Sequence, residues 1–315
     1  MRIPEDKLQS VLFLVQDGVP RGSGFLLRQT LDYQGSPFDL IFAVTARHCI
    51  EESASQPFML RISTGGDAFV EIESHAALWF LHDSADVALS LITEVPGVDA
   101  ELWVEELWLL VSEQGTFPVD AFRIPGATAF TSKDYTQAGD KNIEEVKISL
   151  GNDVAMIGLL RGLPGEDVNL PVVTFGRVSR LPGEPVKLSG GATTFRAPVY
   201  LVEGSSWGGF SGSPCFWTFP ITNMVPTDYQ TESGETITVV TPVTAFGSPL
   251  LGVVSGHWPI PEQVRSDDGE EIGVVVNLNS GITLITPAHH ISELLSRDDV
   301  IECKESYARD RKAKP

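Results

Sequence analysis

The sequence predicts an all-β fold assembled from many short strands. Twenty-nine glycines and 21 prolines are spread through 315 residues rather than clustered, which suits frequent turns and argues against long helices. Short apolar segments recur between turn-rich stretches, at 11–15, 24–27, 40–45 and 88–93 in the first third of the chain. The third observation is an ordered set of chemical motifs, with a histidine, an aspartate and a serine each next to a strand-like run.

A chain of this length can form two compact units, and a 42% hydrophobic content supplies a core for them. Residues 1–147 are expected to form an N-terminal unit and residues 148–315 a C-terminal one. Within the first, 10–95 reads as strands, whereas 96–147 is irregular and suits an insertion. There, Glu101-Leu102-Trp103-Val104-Glu105-Glu106-Leu107-Trp108-Leu109-Leu110-Val111 mixes strand and helix periods and leaves both open. In the second unit, Val154-Ala155-Met156-Ile157-Gly158 and Thr236-Ile237-Thr238-Val239-Val240 are strand-like runs. An enlarged loop at 259–273 carries the acidic residues Asp267, Asp268, Glu270 and Glu271. From 291 to about 303 one amphipathic helix is expected to pack on the second unit, followed by a basic, unstructured tail at 309–315.

The chemistry sits in three short strings. Ser211 lies in Gly208-Gly209-Phe210-Ser211-Gly212-Ser213-Pro214, His48 in Thr45-Ala46-Arg47-His48-Cys49, and Asp86 opens Asp86-Val87-Ala88-Leu89. A serine hydroxyl is a weak nucleophile unless an imidazole takes its proton and a carboxylate fixes the imidazole's tautomer. Asp83 rivals Asp86 for the last role. The apolar run begins directly after Asp86, which places that residue at the start of a buried strand and favours it. Any one string is a weak signal; three in this order are strong together.

These strings and their order resemble the chymotrypsin-like serine proteases, in the bacterial branch that holds the high-temperature-requirement proteases and the glutamyl endopeptidases. Fainter echoes are Gly22-Ser23-Gly24-Phe25-Leu26-Leu27, Thr174-Phe175-Gly176-Arg177-Val178-Ser179, Leu251-Gly252-Val253-Val254-Ser255-Gly256 and Ser280-Gly281-Ile282-Thr283-Leu284-Ile285-Thr286-Pro287. The resemblance implies two six-stranded antiparallel β-barrels with a C-terminal helix, base and acid in the first barrel and nucleophile in the second. It also implies that the run 154–158 is an opening strand of the second barrel and that the run 236–240 is part of an added hairpin or flap within 215–250. It implies a serine endopeptidase acting on protein or peptide substrates. Ser211 would attack, His48 would carry the proton, Asp86 would orient His48, and the N–H groups of Gly209 and Ser211 would form the oxyanion hole. Ser205, Ser255, Gly256 and His257 would contact substrate. Ser205 stands where trypsin-like enzymes hold an aspartate, and His257 lies a few positions after the histidine of glutamyl endopeptidases.

The resemblance also has departures. Phe210 replaces the aspartate that receives a freed amine, so zymogen cleavage is not expected. Cys49 occupies a position used for a disulfide in secreted relatives, yet no cysteine precedes it. Cys215 follows Pro214 at the start of a buried strand, where cysteine acts as a small apolar residue rather than a nucleophile. No cofactor and no metal are expected: His75 and His82 read as loop residues, and His289-His290 has no ligand set around it in the sequence.

A formal net charge of −20 opposes a nucleic-acid partner and an anionic membrane surface. No stretch reaches the ~18 apolar residues of a membrane helix, and 11–15 is too short for a secretory core. Three cysteines cannot all pair, which points to a reducing, cytoplasmic and prokaryotic setting. Two alternatives stay open beside the endopeptidase: a catalytically silent binding scaffold, or a protease that an activating protein partner opens within a larger complex. An esterase with the same residues is a third.

Overall fold

The computed structural model describes residues 3, 5–64, 68–93, 105–106, 111, 113–114, 116–118, 129–131, 145–190, 193–230, 236–265 and 271–313. Of the ambiguous 101–111 segment, only Glu105, Glu106 and Val111 fall within them. Asp267, Asp268 and Glu270 lie outside them.

The first unit begins with the short helix α1 (Glu5–Gln9) and the strands β1 (Val11–Gln16), β2 (Val19–Tyr33) and β3 (Ser36–Thr45). Two-residue turns join these strands, Asp17-Gly18 between Gln16 and Val19 and Gln34-Gly35 between Tyr33 and Ser36. All four turn residues have positive φ, 53° and 72° in the first turn and 53° and 76° in the second. That is the geometry whose twist matches a β-hairpin, and glycine at its second position carries no steric cost. Helix α2 (Arg47–Glu52) follows β3, then β4 (Phe58–Thr64), β5 (Ala68–Ser74), β6 (Phe80–Leu81), β7 (Ala88–Ile92) and β8 (Glu105–Glu106). The sheet runs β5-β4-β1-β2-β3-β7-β6, and β8 adds to β2 in parallel. Among the described residues this sheet therefore holds eight strands where the sequence suggested six, and one of the two additions, β8, comes from the segment whose period was ambiguous.

Short strands β9 (Thr116–Pro118), β10 (Ala129–Thr131) and β11 (Glu145–Lys147) lead into the second unit. Its barrel contains β12 (Asp153–Gly158), β13 (Val172–Arg180), β16 (Tyr200–Glu203), β17 (Pro214–Trp217), β20 (Leu250–Arg265) and β21 (Glu271–Pro287). It closes in the order β12-β13-β16-β21-β20-β17, all antiparallel. A side hairpin, β14 (Val186–Gly190) and β15 (Thr193–Ala197), lies between β13 and β16.

Two long hairpins leave this frame. β18 (Phe219–Gln230) and β19 (Thr236–Gly247) pair in continuous register from Phe219–Gly247 to Gln230–Thr236, with β10 on the outer edge of β18. This is the added hairpin expected within 215–250. β20 and β21 continue pairing past the barrel as far as Arg265 and Glu271, so the region read as an enlarged loop at 259–273 is mostly strand. Both faces of these arms are open, which leaves Tyr229, Ile237, Val239, Trp258, Ile260 and Leu278 exposed.

The C-terminal end corrects the sequence reading. Two helices replace the single one expected, α3 (His289–Leu295) and α4 (Asp298–Ala313). The chain restarts because Asp298 and Asp299 suit a helix N-terminus. Ile291, Leu294, Leu295 and Val300 join the core of the first unit, not that of the barrel. Nor is 309–313 an unstructured tail: Lys304 Nζ donates to Leu295 O (2.8 Å), Tyr307 Oη to Thr93 O (3.2 Å) and Lys312 Nζ to Gln34 Oε1 (3.2 Å), tying α4 along the first sheet.

The same core takes Ile157, Leu159, Phe216, Leu250 and Val253 from the barrel, so apolar packing is continuous between the units. Replacing Leu294, 1% exposed within this core, by alanine is expected to cost about 2–5 kcal/mol of stability. The check is a lower urea midpoint with unchanged denaturant dependence.

Candidate active site

His48 is delivered by a change of backbone direction. Thr45 ends β3, Ala46 is extended (φ −72°, ψ 138°), and α2 starts at Arg47. Arg47 Nε donates to Glu51 Oε1 at 2.8 Å along the outer side of this helix, while His48, Cys49 and Ile50 are buried. Asp86 arrives from the turn between β6 and β7 and is only 2% exposed. Its Oδ1 accepts the His48 backbone N–H (3.0 Å), and its Oδ2 lies 2.8 Å from His48 Nδ1. A buried carboxylate held by two bonds to one residue fixes both the place of the imidazole and its tautomer, with the proton on Nδ1 and the lone pair on Nε2. Asp83, the rival, is exposed and lies near Arg297 Nη1 (3.8 Å) rather than His48.

The imidazole's other nitrogen has a neighbour that the sequence did not reveal. Cys49 Sγ lies 3.7 Å from His48 Nε2. Burial works to lower the His48 pKa, but the Cys49 sulfur and the Asp86 carboxylate raise it, and the net result is a pKa well above the ordinary imidazole value. Protonated His48 therefore adds stability below the unfolded-state pKa, and that contribution is lost as pH rises through the folded one.

The Ser211 loop is attached to the first unit by Ser23. This residue is fully buried. Its N–H donates to Ser211 O (2.8 Å), its Oγ donates to Gly209 O (2.7 Å) and accepts from Leu159 N (2.8 Å), and its carbonyl accepts from Thr45 Oγ1 (2.6 Å). Ser211 thus meets the site through its main chain, one step from the segment that carries His48. Gly212, at φ +87°, lies so close to Ser23 O, Thr45 Oγ1 and Ala46 N that a Cβ there would collide with them. Sequence reading placed Ser23 only on an early strand; a serine between two glycines is the one signal that could have marked it.

Within the loop, Phe210 N–H donates to Trp207 O, Gly212 N–H to Val254 O and Ser213 N–H to Phe210 O. The N–H groups of Gly209 and Ser211 have no acceptor among the described residues. Two unengaged amides flanking a bonded one can stabilise an oxyanion.

The residues expected to contact substrate are spread along the barrel. Ser205 is exposed beyond β16, and Ser206 beside it is buried, its carbonyl accepting from Asn279 Nδ2 (2.6 Å). Ser255 Oγ is engaged with Thr286 Oγ1 (2.7 Å), Gly256 has φ +134°, and His257 is exposed opposite Thr283. None of these lines the open cavity of about 490 Å³ next to the loop, which is formed by Leu160, Arg161, Gly162, Trp207 and Gly208. Burial pushes the Cys215 thiol up, well away from the thiolate a nucleophile needs.

His82, His290 and Glu293 come together, although His82 read as a loop residue and His290 as having no partners of this kind. Glu293 Oε2 lies 3.0 Å from His82 Nε2 and 2.7 Å from His290 Nδ1. The other ring nitrogen of His82, Nδ1, accepts from Ser84 N–H (3.2 Å) and Ala85 N–H (3.0 Å). His82 Nε2 therefore carries the proton that bonds to Glu293 and has no lone pair to offer an ion.

No protein-family model matches the chain, and no curated protein matches it. Among solved structures the chain is similar to the apo MamO protease domain from Magnetospirillum magneticum (12% identity, TM-score 0.35, covering 75% of this chain and 93% of that one). It is also similar to the active form of the Rv3671c protease from M. tuberculosis (15% identity, TM-score 0.42, 93% and 82% covered). A third is kallikrein-related peptidase 10 in complex with Zn²⁺ (11% identity, TM-score 0.36, 96% and 100% covered). At these values the assignment rests on the chain's own topology, a closed six-stranded antiparallel barrel beside a second β-sheet with a C-terminal helix. The fold is chymotrypsin-like. Among the described residues no helix is long and apolar enough to cross a membrane.

Asp86→Asn and Cys49→Ala are each expected to lower the His48 pKa, because each removes a group that raises it. The His48 ring resonances, followed by NMR across pH, provide the check; an unchanged titration in both variants would refute the assigned causes.

Proposed function

We propose that this chain is a serine endopeptidase that cleaves protein or peptide substrates with Ser211, His48 and Asp86. The observation that carries the reading is the buried Asp86–His48 pair, 2.8 Å between Oδ2 and Nδ1, next to a serine loop with two unengaged amides. In the reaction, Ser211 Oγ adds to the scissile carbonyl carbon as its proton passes to His48 Nε2, and Asp86 stabilises the imidazolium that results. The N–H groups of Gly209 and Ser211 receive the oxyanion. His48 returns the proton to the leaving amine as the C–N bond breaks, giving an acyl-enzyme. Water, deprotonated by His48, then releases the acid and restores Ser211.

Three free cysteines, two of them buried, support a reducing, cytoplasmic location. The apolar faces of the two hairpin arms favour a second reading, in which the chain acts with a protein partner that opens the site or uses the fold only for binding.

Fluorophosphonate labelling tests the reading. Label is expected on Ser211, located by mass spectrometry, and it should disappear in Ser211→Ala and fall by roughly 10⁴-fold or more in His48→Ala. No label on the folded protein alone would favour the partner-dependent or binding reading. Because His48 must be deprotonated to act as base and its pKa is raised, the labelling rate should increase with pH through a midpoint above the ordinary histidine range.

A further inference from the structure

Asp86 can orient His48 only if the turn that carries it keeps its shape. That turn, residues 82–87, is held by unusual means. His82 N–H donates to Val87 O (3.0 Å) and Val87 N–H to Ala85 O (2.9 Å), which closes the turn. Inside it, His82 Nδ1 accepts the N–H groups of residues two and three positions on, Ser84 at 3.2 Å and Ala85 at 3.0 Å. Aspartate and asparagine side chains bond in this way at the start of turns; here an imidazole does so. The ring is set from its far side, where Nε2–H meets Glu293 Oε2 on α3 (3.0 Å) and the ring packs edge-on against His290, centroids 5.0 Å apart.

We propose that His82 is a positioning residue for the Asp86 turn, active as a neutral acceptor, and that protonation at Nδ1 releases the turn and with it the carboxylate that orients His48. The chemistry is a conflict of donors. An Nδ1–H would point at two backbone N–H groups that have no alternative acceptor on that ring, so the charged imidazole can keep neither bond. The charged and titratable groups around His82 are accounted for. Asp83 lies on its own turn. Glu293 and His290 face it from α3, with His289 next to His290, ring centroids 4.1 Å apart. From α2, Arg47 Nη1 donates to the carbonyls of His82 (2.8 Å) and Asp83 (3.2 Å), and Arg297 Nη1, between α3 and α4, donates to Leu81 O (2.7 Å). Both arginines bind main-chain carbonyls. Burial holds the His82 pKa below the ordinary value, against the upward pull of Glu293, so the neutral form prevails at neutral pH and the release falls on the acid side.

The catalytic consequence rests on the serine-hydrolase reading, whereas the structural one does not, and the test separates them. The proteins compared are the intact chain, His82→Asn and His82→Ala. Asparagine offers an acceptor oxygen near the position of Nδ1 and does not titrate. The first readout is the low-field NMR signal of the His48 Nδ1–H···Asp86 proton together with the His82 ring nitrogen shifts across pH. The second is the pH dependence of fluorophosphonate labelling at Ser211.

In the intact chain the His48 signal should fade in step with the titration of His82, and labelling should fall with a slope that steepens from one proton to two below that point. His82→Asn should keep the signal, label at neutral pH within about 3-fold of the intact chain, and retain a one-proton slope throughout. His82→Ala should lose the signal and label roughly 10²-fold more slowly, the scale of a misplaced catalytic group. A His48 signal that survives His82 protonation, or an asparagine variant as impaired as a folded alanine variant, would overturn the proposal. If the alanine variant does not fold, the intact chain and the asparagine variant decide. If no protein labels, the NMR readout alone decides whether His82 positions the turn, and the hydrolase reading fails separately.

Discussion

The site depends on one buried ion, the carboxylate of Asp86. Withdrawn almost completely from water, it must find hydrogen-bond donors inside the protein. Both donors come from one residue, His48, through its main chain and its ring. That pair of hydrogen bonds fixes more than a side-chain rotamer. It ties the turn between β6 and β7 to the first turn of α2, and so it dictates where β3 must end and the chain must change direction. The carboxylate is in turn positioned by a turn that is hydrogen-bonded to its own histidine and pinned by two arginines.

A second constraint joins the halves of the molecule. Ser23 uses its N–H, its hydroxyl and its carbonyl together, reaching the serine loop, the end of β12 and the end of β3. A fully buried residue with every polar group engaged cannot shift without breaking several bonds at once. The Ser211 loop therefore has no independent freedom of position relative to the segment bearing His48. Continuous apolar packing from the first sheet into Ile157, Leu159, Phe216 and Val253 carries the same rigidity through the core. The C-terminal helices extend it by returning from the barrel to the first sheet.

Much of this was legible in the sequence where the signal is local. Asp17-Gly18 marks a two-residue hairpin turn by residue type alone, and the run after Asp86 marks a buried strand. Thr45 to Cys49 and Gly208 to Pro214 mark, by their neighbours, the residues proposed as base and nucleophile. Signals that require a distant partner were not legible. β8 is two residues long and exists because β2 has an edge to receive it. α4 was cut short in the reading because the basic residues at its end look like a tail, and only the bonds of buried Lys304 to Gln29, of Tyr307 to Thr93 and of Lys312 to Gln34 explain the ordered helix. His82 carries no local mark of its role, since its ring acts on the turn through nitrogens whose protonation state its neighbours set.

By itself, then, the sequence determined the β class, the turns and the order and type of the chemical residues, because each depends on backbone preferences and side chains a few positions apart. Tertiary structure alone decided which nitrogen of His48 faces Asp86, that Cys49 sits at the other nitrogen, that Ser23 clamps the serine loop, and that α3 brings Glu293 to His82. Except for Cys49, which adjoins His48 in the chain, those facts depend on groups tens to hundreds of positions apart, and a distance of 3 Å between them has no counterpart in chain order.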